Sequence, residues 1–442
     1  MKKRIGCLVI FTLFAVLVKA QKDIDVFQEK HSAAELKKDI EAVKTALESK
    51  DPNLYWYISK KQLNKKLDSL ESAITVPMSN SAFRYKLACV LAAIGDGHMS
   101  LKFDADKLYP ADRTKFDGSE FFPIQKFKYK VINEKLFIIE NLSEDNSIAP
   151  GTEVLAIDGQ PASQIIKGLL ASIASDGYNQ TFKYFYLNTE FADKYMEAFG
   201  FGDNVTFTLK VGEDIKTISL KKSNGVQKAN VMDATNQQKS FLSRYAYIKV
   251  STFYYGMSDF NSSIFSAIKR SKINRLVLDL RNNNGGSQQQ MIDLFSYLID
   301  TPTFFAKKFK HPFPESAYGA ETPVIPADVH FKGKIYVLIN GGTFSAASLI
   351  AANLRADKNV TFIGSETGGA GDKCTGGTFA DLTLPYSGLL LHYAINALIV
   401  PQNVSAKGRG VMPDITINYQ INDFVQKKDL EFEWVKENVD KW

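Results

Sequence analysis

The apolar residues of the first quarter of the chain recur at helical spacing. Residues 34–47 place them three and four positions apart, and residues 61–74 repeat that pattern with lysines and glutamates between. A third such segment, residues 82–94, ends at Gly95, and glycine often closes a helix. This periodicity predicts three amphipathic helices, the first two separated by the Asp-Pro-Asn sequence at 51–53.

From about Phe121 the apolar period shortens to that of β-strands. Strands are predicted at 131–140, 154–157, 204–211 and 215–220, with a short helix at 161–173. Pro-Gly at 150–151 and Asp-Gly at 158–159 supply turns. We therefore expect a small β-rich module over residues 119–225, with residues 176–200 as an aromatic-rich insertion.

The last two hundred residues alternate between apolar strands and helices. Strands are predicted at 247–250, 275–280, 334–339 and 360–363, and helices at 257–269, 289–299 and 346–354. This alternation predicts an α/β fold whose largely parallel sheet is covered on both faces. We expect this core to occupy residues 226–442, after an N-terminal helical region at 21–118. Ligand chemistry on such a sheet lies at the carboxyl ends of its strands.

Residues 1–20 have the layout of a secretory signal peptide. A positive start, Met-Lys-Lys-Arg, precedes an apolar stretch from Ile5 to Val18, and Ala20 ends a plausible cleavage site. The alternative is a membrane anchor, but the stretch is shorter than the roughly 20 residues that a spanning helix needs. We expect an exported protein, periplasmic or extracellular, with no stable membrane insertion after cleavage.

Composition and charge exclude several classes of protein. The 442 residues are 45% hydrophobic and 23% charged, which is a globular composition. The leader holds four cations and no acids, so the formal charge of +6 falls to +2 without it, and nothing favours nucleic-acid binding. Without CxxC or HExxH, and with scattered histidines, we predict neither a metal nor a cofactor. Cys89 and Cys374 could form a disulfide or remain two buried thiols.

Two segments end predicted strands with glycine pairs. Gly285 and Gly286 follow the strand that carries Asp279, and their backbone N–H groups could approach a ligand as an oxyanion hole requires. The alternative is a plain turn with an Asp–Arg pair. After the next strand, Gly341-Gly342 leads to Ser345 at the start of an alanine-rich helix, where the helix N-terminus stabilises negative charge. The alternative is that Thr343 or Ser345 is simply the helix N-cap.

Two further loops carry groups that could act as acids or bases. His98 lies in the Gly-rich loop 95–98, and its ordinary pKa suits a general base, although a capping histidine is the alternative. In the loop after residue 363, Glu366 could orient a base and Lys373 could itself be one. The alternative there is a plain surface loop.

Four segments in this order resemble the S41 peptidase family, which includes the C-terminal processing (tail-specific) proteases and the tricorn core. They are Leu-Asp-Leu-Arg-Asn-Asn-Asn-Gly-Gly at 278–286, Asn-Gly-Gly-Thr-Phe-Ser-Ala-Ala-Ser at 340–348, Phe-Ile-Gly-Ser-Glu-Thr-Gly-Gly at 362–369 and Gly-Arg-Gly-Val-Met-Pro-Asp-Ile at 408–415. The resemblance implies a serine peptidase acting on polypeptides, with Ser345 as the nucleophile. The central module is similar to the PDZ-like domain of that family, through Pro-Gly-Thr-Glu-Val-Leu-Ala-Ile-Asp-Gly at 150–159.

The chain departs from the processing-protease branch at the position of its lysine base. Gly-Ala-Gly at 369–371 stands where that branch has Gly-Lys-Gly, so the resemblance is to the branch with a histidine base, and His98 takes that role. That branch also has an acidic residue before the last landmark, where this chain has Lys407. Glu366 is the substitute we predict, with Gly286 and Ala346 as oxyanion donors.

We therefore predict an exported serine peptidase that cleaves polypeptides internally or near their C-termini. Two alternatives stay open. The first is a non-catalytic peptide- or ligand-binding protein on the same scaffold, with Ser345 as a cap. The second is a peptidase whose base is Lys373.

Overall fold

A computed structural model describes residues 25–439 except 105, 107, 109–112, 114, 116–119, 225–237, 242–244, 308–321 and 402–404. The predicted signal peptide lies outside the described residues. Within them, no helix is both long and apolar enough to cross a bilayer.

The described helices, in chain order, are α1 (Ala33–Lys50), α2 (Lys60–Ala73), α3 (Asn80–Ala92), α4 (Ala162–Ser172), α5 (Thr181–Phe199), α6 (Met257–Ser271), α7 (Gln288–Ser296), α8 (Ala346–Leu354), α9 (Ile421–Val425) and α10 (Leu430–Asn438). The described strands are β1 (Lys30–His31), β2 (Met78–Ser79), β3 (Ser100–Phe103), β4 (Glu120–Phe121), β5 (Phe127–Ile132), β6 (Lys135–Asn141), β7 (Glu153–Ile157), β8 (Gln160–Pro161), β9 (Asn204–Val211), β10 (Asp214–Lys221), β11 (Ser223–Asn224), β12 (Gln238–Phe241), β13 (Ala246–Lys249), β14 (Arg275–Asp279), β15 (Lys334–Ile339), β16 (Val360–Gly364), β17 (Lys373–Thr375), β18 (Phe379–Thr383), β19 (Leu389–Ala394), β20 (Ala397–Ile399) and β21 (Ile415–Thr416).

The C-terminal half is built around a six-stranded sheet of order β12-β13-β14-β15-β16-β21. Five of these strands, β13, β14, β15, β16 and β21, run parallel, and β12 pairs antiparallel with β13 at the edge. Because successive strand residues point to opposite faces, Leu276 and Leu278 pack into one core layer and Val277 into the other. Helices α6, α7 and α8 cover the first face and α10 the second. The expected α/β fold with a largely parallel, doubly covered sheet is confirmed.

The strand register brings three loops to one edge of this sheet. Asp279 at the end of β14 lies opposite Leu338 of β15, and Ile339 lies opposite Gly364 at the end of β16. The segments that follow these three strands therefore leave the sheet side by side.

The N-terminal helices share a hydrophobic core with strands from the far end of the chain. Leu87 and Leu91 of α3 pack with Leu391 and Tyr393 of β19, and β3 pairs with β19. The loop between α3 and β3 is thereby carried to the edge of the large sheet at which these three loops leave it.

The β-rich module is an antiparallel sheet of order β10-β9-β7-β6-β5. Residues 176–200, expected to be an insertion, form the 19-residue helix α5. Leu187 and Phe191 of α5 pack into the core of this module, so the segment is part of its structure.

Candidate active site

Ser345 lies at the start of α8 in a backbone conformation that non-glycine residues rarely adopt. Its φ is 52° and its ψ is −124°, and such strain costs on the order of 1–3 kcal/mol unless the surroundings hold it. Its side chain makes no capping hydrogen bond to the helix. Thr343, the other candidate cap, donates its hydroxyl to the carbonyl of Leu280 instead. The geometry therefore does not support a role for Ser345 as an ordinary N-cap.

His98 faces Ser345 directly. Its Nε2 lies 3.1 Å from Ser345 Oγ, and its ring packs against that of Phe344 with centroids 4.6 Å apart. The approach depends on Gly97, because a Cβ there would lie 2.8 Å from Asp176 Oδ1 and from Phe344. The structure thus brings together two residues that are 247 positions apart in the chain.

The second ring nitrogen of His98 contacts a hydroxyl that sequence reasoning missed. Nδ1 lies 3.1 Å from Thr375 Oγ1, and this hydroxyl donates a 2.7 Å hydrogen bond to Asp96 Oδ1. Because the carboxylate can only accept, the Thr375 oxygen is left to accept from Nδ1–H. His98 is therefore protonated on Nδ1, and the free lone pair on Nε2 can accept the proton of the Ser345 hydroxyl.

The charge state of His98 suits the same role. Burial lowers the pKa of His98 below its usual range, and Asp96 opposes that shift. The imidazole is therefore neutral at pH 7 and able to take a proton. The backbone N–H of His98 also donates to Asp96 Oδ1 at 2.9 Å, which fixes the loop.

Glu366, which we predicted to orient the base, makes its described hydrogen bonds with other groups. Its carboxylate pairs with the guanidinium of Arg409, and Oε1 also accepts from the backbone N–H of Gly410 at 2.8 Å. Asn179 donates to the same oxygen. The reason is that Arg409, in the Gly-Arg-Gly landmark, reaches back to the loop after β16. Glu366 ties two loops together.

The structure also shows the surroundings of Lys373 and the state of the two cysteines. The ammonium of Lys373 lies 4.3 Å from the ring centroid of Trp56 and 5.0 Å from that of Tyr57. Burial lowers its pKa, but the cation is held on these aromatic rings. Cys89 and Cys374 are both free, so of the two possibilities left open the structure contains the thiols.

The first glycine of the pair lies against the serine, and the second lies against the backbone of Phe253. A Cβ on Gly285 would be 2.7 Å from Ser345 Cβ and 3.0 Å from the backbone nitrogen of Ala346. Phe253 holds the pair in place by accepting from Ser287 N and donating to Gly285 O. Within the described part of the chain, the N–H groups of Gly286 and Ala346 have no acceptor, so both are available to a ligand.

Asp176 is a further buried group that the sequence did not indicate. Its carboxylate accepts from Gly97 N at 2.9 Å and from Ala370 N at 3.1 Å. Burial and the neighbouring Asp96 raise the pKa of Asp176 to about 7. It joins the loop of His98 to the Gly-Ala-Gly segment, which lies at the position of the lysine motif in the processing proteases.

One group of side chains could hold a cation. The donor atoms of Asp96, His98 and Asp176 lie within 4.8 Å of one another, the candidate cluster among the described residues. Both carboxylates already accept backbone or hydroxyl hydrogen bonds, and both ring nitrogens of His98 are engaged. The arrangement is that of a hydrogen-bonded relay.

The sequence offered uneven signals for these groups. Asp96 lies inside the Gly-Asp-Gly-His loop, so its nearness to His98 could have been anticipated. No motif in the sequence indicated a role for Thr375 or Asp176, and only their tertiary contacts identify them.

Comparison with known proteins agrees with this architecture. Residues 244–417 match the family model described as peptidase family S41. A probable CtpA-like serine protease of Staphylococcus haemolyticus is 27% identical over 216 residues, covering 49% of this chain and 40% of that protein. Its counterpart in Staphylococcus aureus strain RF122 is 26% identical over 222 residues, covering 48% and 40%. The chain thus spans well under half the length of these relatives.

The fold likeness extends over nearly the whole chain. The crystal structure of mature CPAF superposes with a TM-score of 0.65 at 14% identity, covering 91% of this chain and 96% of that one. The complex of mature CPAF with lactacystin gives a TM-score of 0.63 at the same identity. At this identity the likeness shows the fold alone.

The parallel sheet thus carries a serine at the start of α8, with a histidine within hydrogen-bond distance of its hydroxyl. Residues 244–417, which contain all four motifs, are similar to peptidase family S41, and the resemblance drawn from those motifs is confirmed.

Proposed function

We propose that the protein is a serine peptidase with Ser345 as nucleophile and His98 as general base. The observation that carries the proposal is the 3.1 Å contact between His98 Nε2 and the oxygen of a serine held at positive φ. Nucleophile and base within hydrogen-bond reach are what acyl transfer requires. No cofactor enters the reaction.

The geometry supports a two-step reaction. Ser345 Oγ attacks the carbonyl carbon of a peptide bond while its proton passes to His98 Nε2, and the carbonyl oxygen becomes an oxyanion. The N–H groups of Gly286 and Ala346 hold that oxyanion. Collapse breaks the C–N bond, and the leaving amine takes the proton from His98. Water then attacks the acyl ester while His98 takes its proton. Collapse breaks the bond between the acyl carbon and Ser345 Oγ, Oγ recovers the proton from His98, and the carboxylic acid product leaves.

Thr375 and Asp96 act as positioning residues in this proposal. Asp96 accepts from Thr375, and Thr375 accepts from Nδ1–H, so the developing imidazolium is stabilised through one hydroxyl.

The substrates we propose are polypeptides, reached by an exported chain after removal of residues 1–20. The β-rich module could capture an extended peptide along an edge strand, as PDZ-like domains do. Within the described sheet, β5 and β10 lie at the edges. Whether cleavage is internal or near the C-terminus depends on how that module presents the peptide.

Degradation of an unstructured protein by the mature chain tests the proposal. We expect cleavage by the unaltered chain, and its loss in both Ser345→Ala and His98→Ala. Cleavage that survives His98→Ala but not Lys373→Ala would move the base to Lys373. A folded protein that binds peptides tightly but cleaves none across a broad peptide library would favour the non-catalytic binding scaffold.

A further inference from the structure

A cavity of about 310 Å³ opens beside the proposed catalytic base. His98 and Gly97 form one wall, and α3, α5 and β3 supply the others. Its size falls at the lower end of the range for small-molecule sites. Phe182, which also lines it, stacks on Phe344 with centroids 4.4 Å apart, directly before Ser345. The cavity therefore borders the proposed base and, through Phe182 and Phe344, the residue before Ser345.

The charged groups that line the cavity are positive. Arg84, Lys102 and Lys194 all border it, and among the described lining residues there is no carboxylate. The remaining lining is largely apolar or aromatic, including Leu91 and Tyr186. Such a wall suits a short aliphatic stem that ends in a negative charge.

Two of these cations form ion pairs with one carboxylate, that of Glu197. Glu197 Oε2 lies 3.0 Å from the Arg84 guanidinium and 2.7 Å from the Lys194 ammonium. Burial acts to raise the pKa of Glu197, but Arg84, Lys194 and Lys102 together bring it below its usual value. Glu190 and Asp193 also act on Lys194, but neither of them lines the cavity, whose described lining contains cations and no carboxylate.

Arg84 also holds an unused donor. Its side chain is buried, with 6% of the residue exposed, and one terminal nitrogen donates to the carbonyl of Leu101. Its Nε is buried and has no hydrogen-bond partner among the described residues. A buried guanidinium N–H without an acceptor is costly, and an anion in the adjoining cavity would satisfy it.

We propose that this cavity is a substrate subsite for a carboxylate adjacent to the scissile bond. This inference rests on the proposed peptidase function. The carboxylate comes from an aspartate or glutamate side chain or from the C-terminus of the polypeptide, two sources with the same chemistry. The enzyme then prefers acidic residues, or chain ends, next to the bond it cleaves.

Matched peptides separate these sources. One series carries a single Glu or a single Gln at each position of an alanine-rich peptide with blocked ends, and a second pair differs only in a free or amidated C-terminus. Binding is measured by fluorescence anisotropy to Ser345→Ala, which does not depend on hydrolysis. Cleavage of the same peptides is followed with the unaltered chain.

We expect one position at which Glu binds about tenfold more tightly than Gln, or the same preference for the free C-terminus. Lys102→Gln and Lys194→Gln should each reduce that preference severalfold, whereas Lys61→Gln on the exposed face of α2 should not. Raising the ionic strength from about 0.1 M to about 1 M should also weaken it, since the Debye length falls from about 10 Å to about 3 Å. We choose Lys102 for the main substitution because Arg84→Gln would also disturb the hydrogen bond from Arg84 to the carbonyl of Leu101.

Equal binding of every Glu/Gln and acid/amide pair would overturn the proposal, as would a preference unchanged in both lysine variants. Failure of the peptidase function gives a different result, because Glu-containing peptides would then bind selectively but remain intact.

Discussion

The hydroxyl of Thr375 lies between His98 and Asp96, 3.1 Å from Nδ1 of the ring and 2.7 Å from the carboxylate oxygen. The carboxylate thus acts on the histidine through an intervening oxygen. The bridge sets the tautomer, and its strength depends on one rotatable hydroxyl.

Replacing Thr375 with valine keeps the shape of the side chain and removes the hydroxyl. We expect kcat/KM for peptide cleavage to fall about 10- to 100-fold, because Nδ1–H loses its acceptor and the tautomer is no longer fixed. Thr375→Ser, which retains the oxygen, should recover most of the rate. The pH–rate profile of the unaltered chain should rise through a pKa below the ordinary histidine value, since burial depresses the pKa of His98. An unchanged rate and profile in Thr375→Val would exclude the bridge.

A methyl group on Gly285 would intrude on the oxyanion position. The new Cβ would lie 2.7 Å from Ser345 Cβ and 3.0 Å from Ala346 N. We expect Gly285→Ala to lower kcat by at least about a hundredfold, and to cost about 1–3 kcal/mol of stability because φ is +104°. Gly212→Ala is the matched control, because it also has positive φ, at 64°, but nothing within 4 Å of the added carbon. Gly212→Ala should show a similar loss of stability, and its kcat should stay that of the parent.

We expect the buried carboxyl group of Asp51 to make the free energy of unfolding depend on pH. Burial and Asp96 raise the pKa of Asp51 to about 7, and one of its oxygens has no hydrogen-bond partner among the described residues. Because the folded state binds this proton more tightly than the unfolded state, the group's contribution is fullest below about pH 4. It is lost as the pH rises toward 7.

Asp51→Asn keeps the 2.8 Å bond from the backbone N–H of Asn53 and removes the charge. We therefore expect the variant to gain stability relative to the parent between pH 5 and pH 8, by up to about 4 kcal/mol. Chemical denaturation of variant and parent at pH 5 and at pH 8 measures the difference in their free energies of unfolding. A constant difference between variant and parent would contradict the raised pKa.

Glu366 tests the distinction between a structural and a catalytic carboxylate. Its contacts with Arg409 and Gly410 lead us to expect that Glu366→Gln lowers the free energy of unfolding by about 1–3 kcal/mol. At temperatures where the variant is folded, the pKa seen in the pH–rate profile should stay that of the parent. A shift of that pKa, with unchanged stability, would restore Glu366 as the partner of the base.

Much of the fold could be predicted from local pattern. The helices near residues 34–47 and 82–94 and the parallel strands of the core follow from the spacing of apolar residues, because burial of one face or of both faces imposes that spacing. Ser345 and the Gly285-Gly286 pair were also identifiable, since strand ends followed by glycines and a helix start leave a recognisable local sequence.

The partners of His98 were decided by the tertiary structure. Thr375 meets His98 because β3 pairs with β19 and carries the 95–98 loop to β17, a contact across 277 positions that no local spacing encodes. The partner of Glu366 could not be read from local sequence for the same reason, because its carboxylate pairs with the guanidinium of Arg409, 43 positions away. Local sequence determined which elements form and where reactive residues can stand, whereas packing between distant segments determined which of those residues meet.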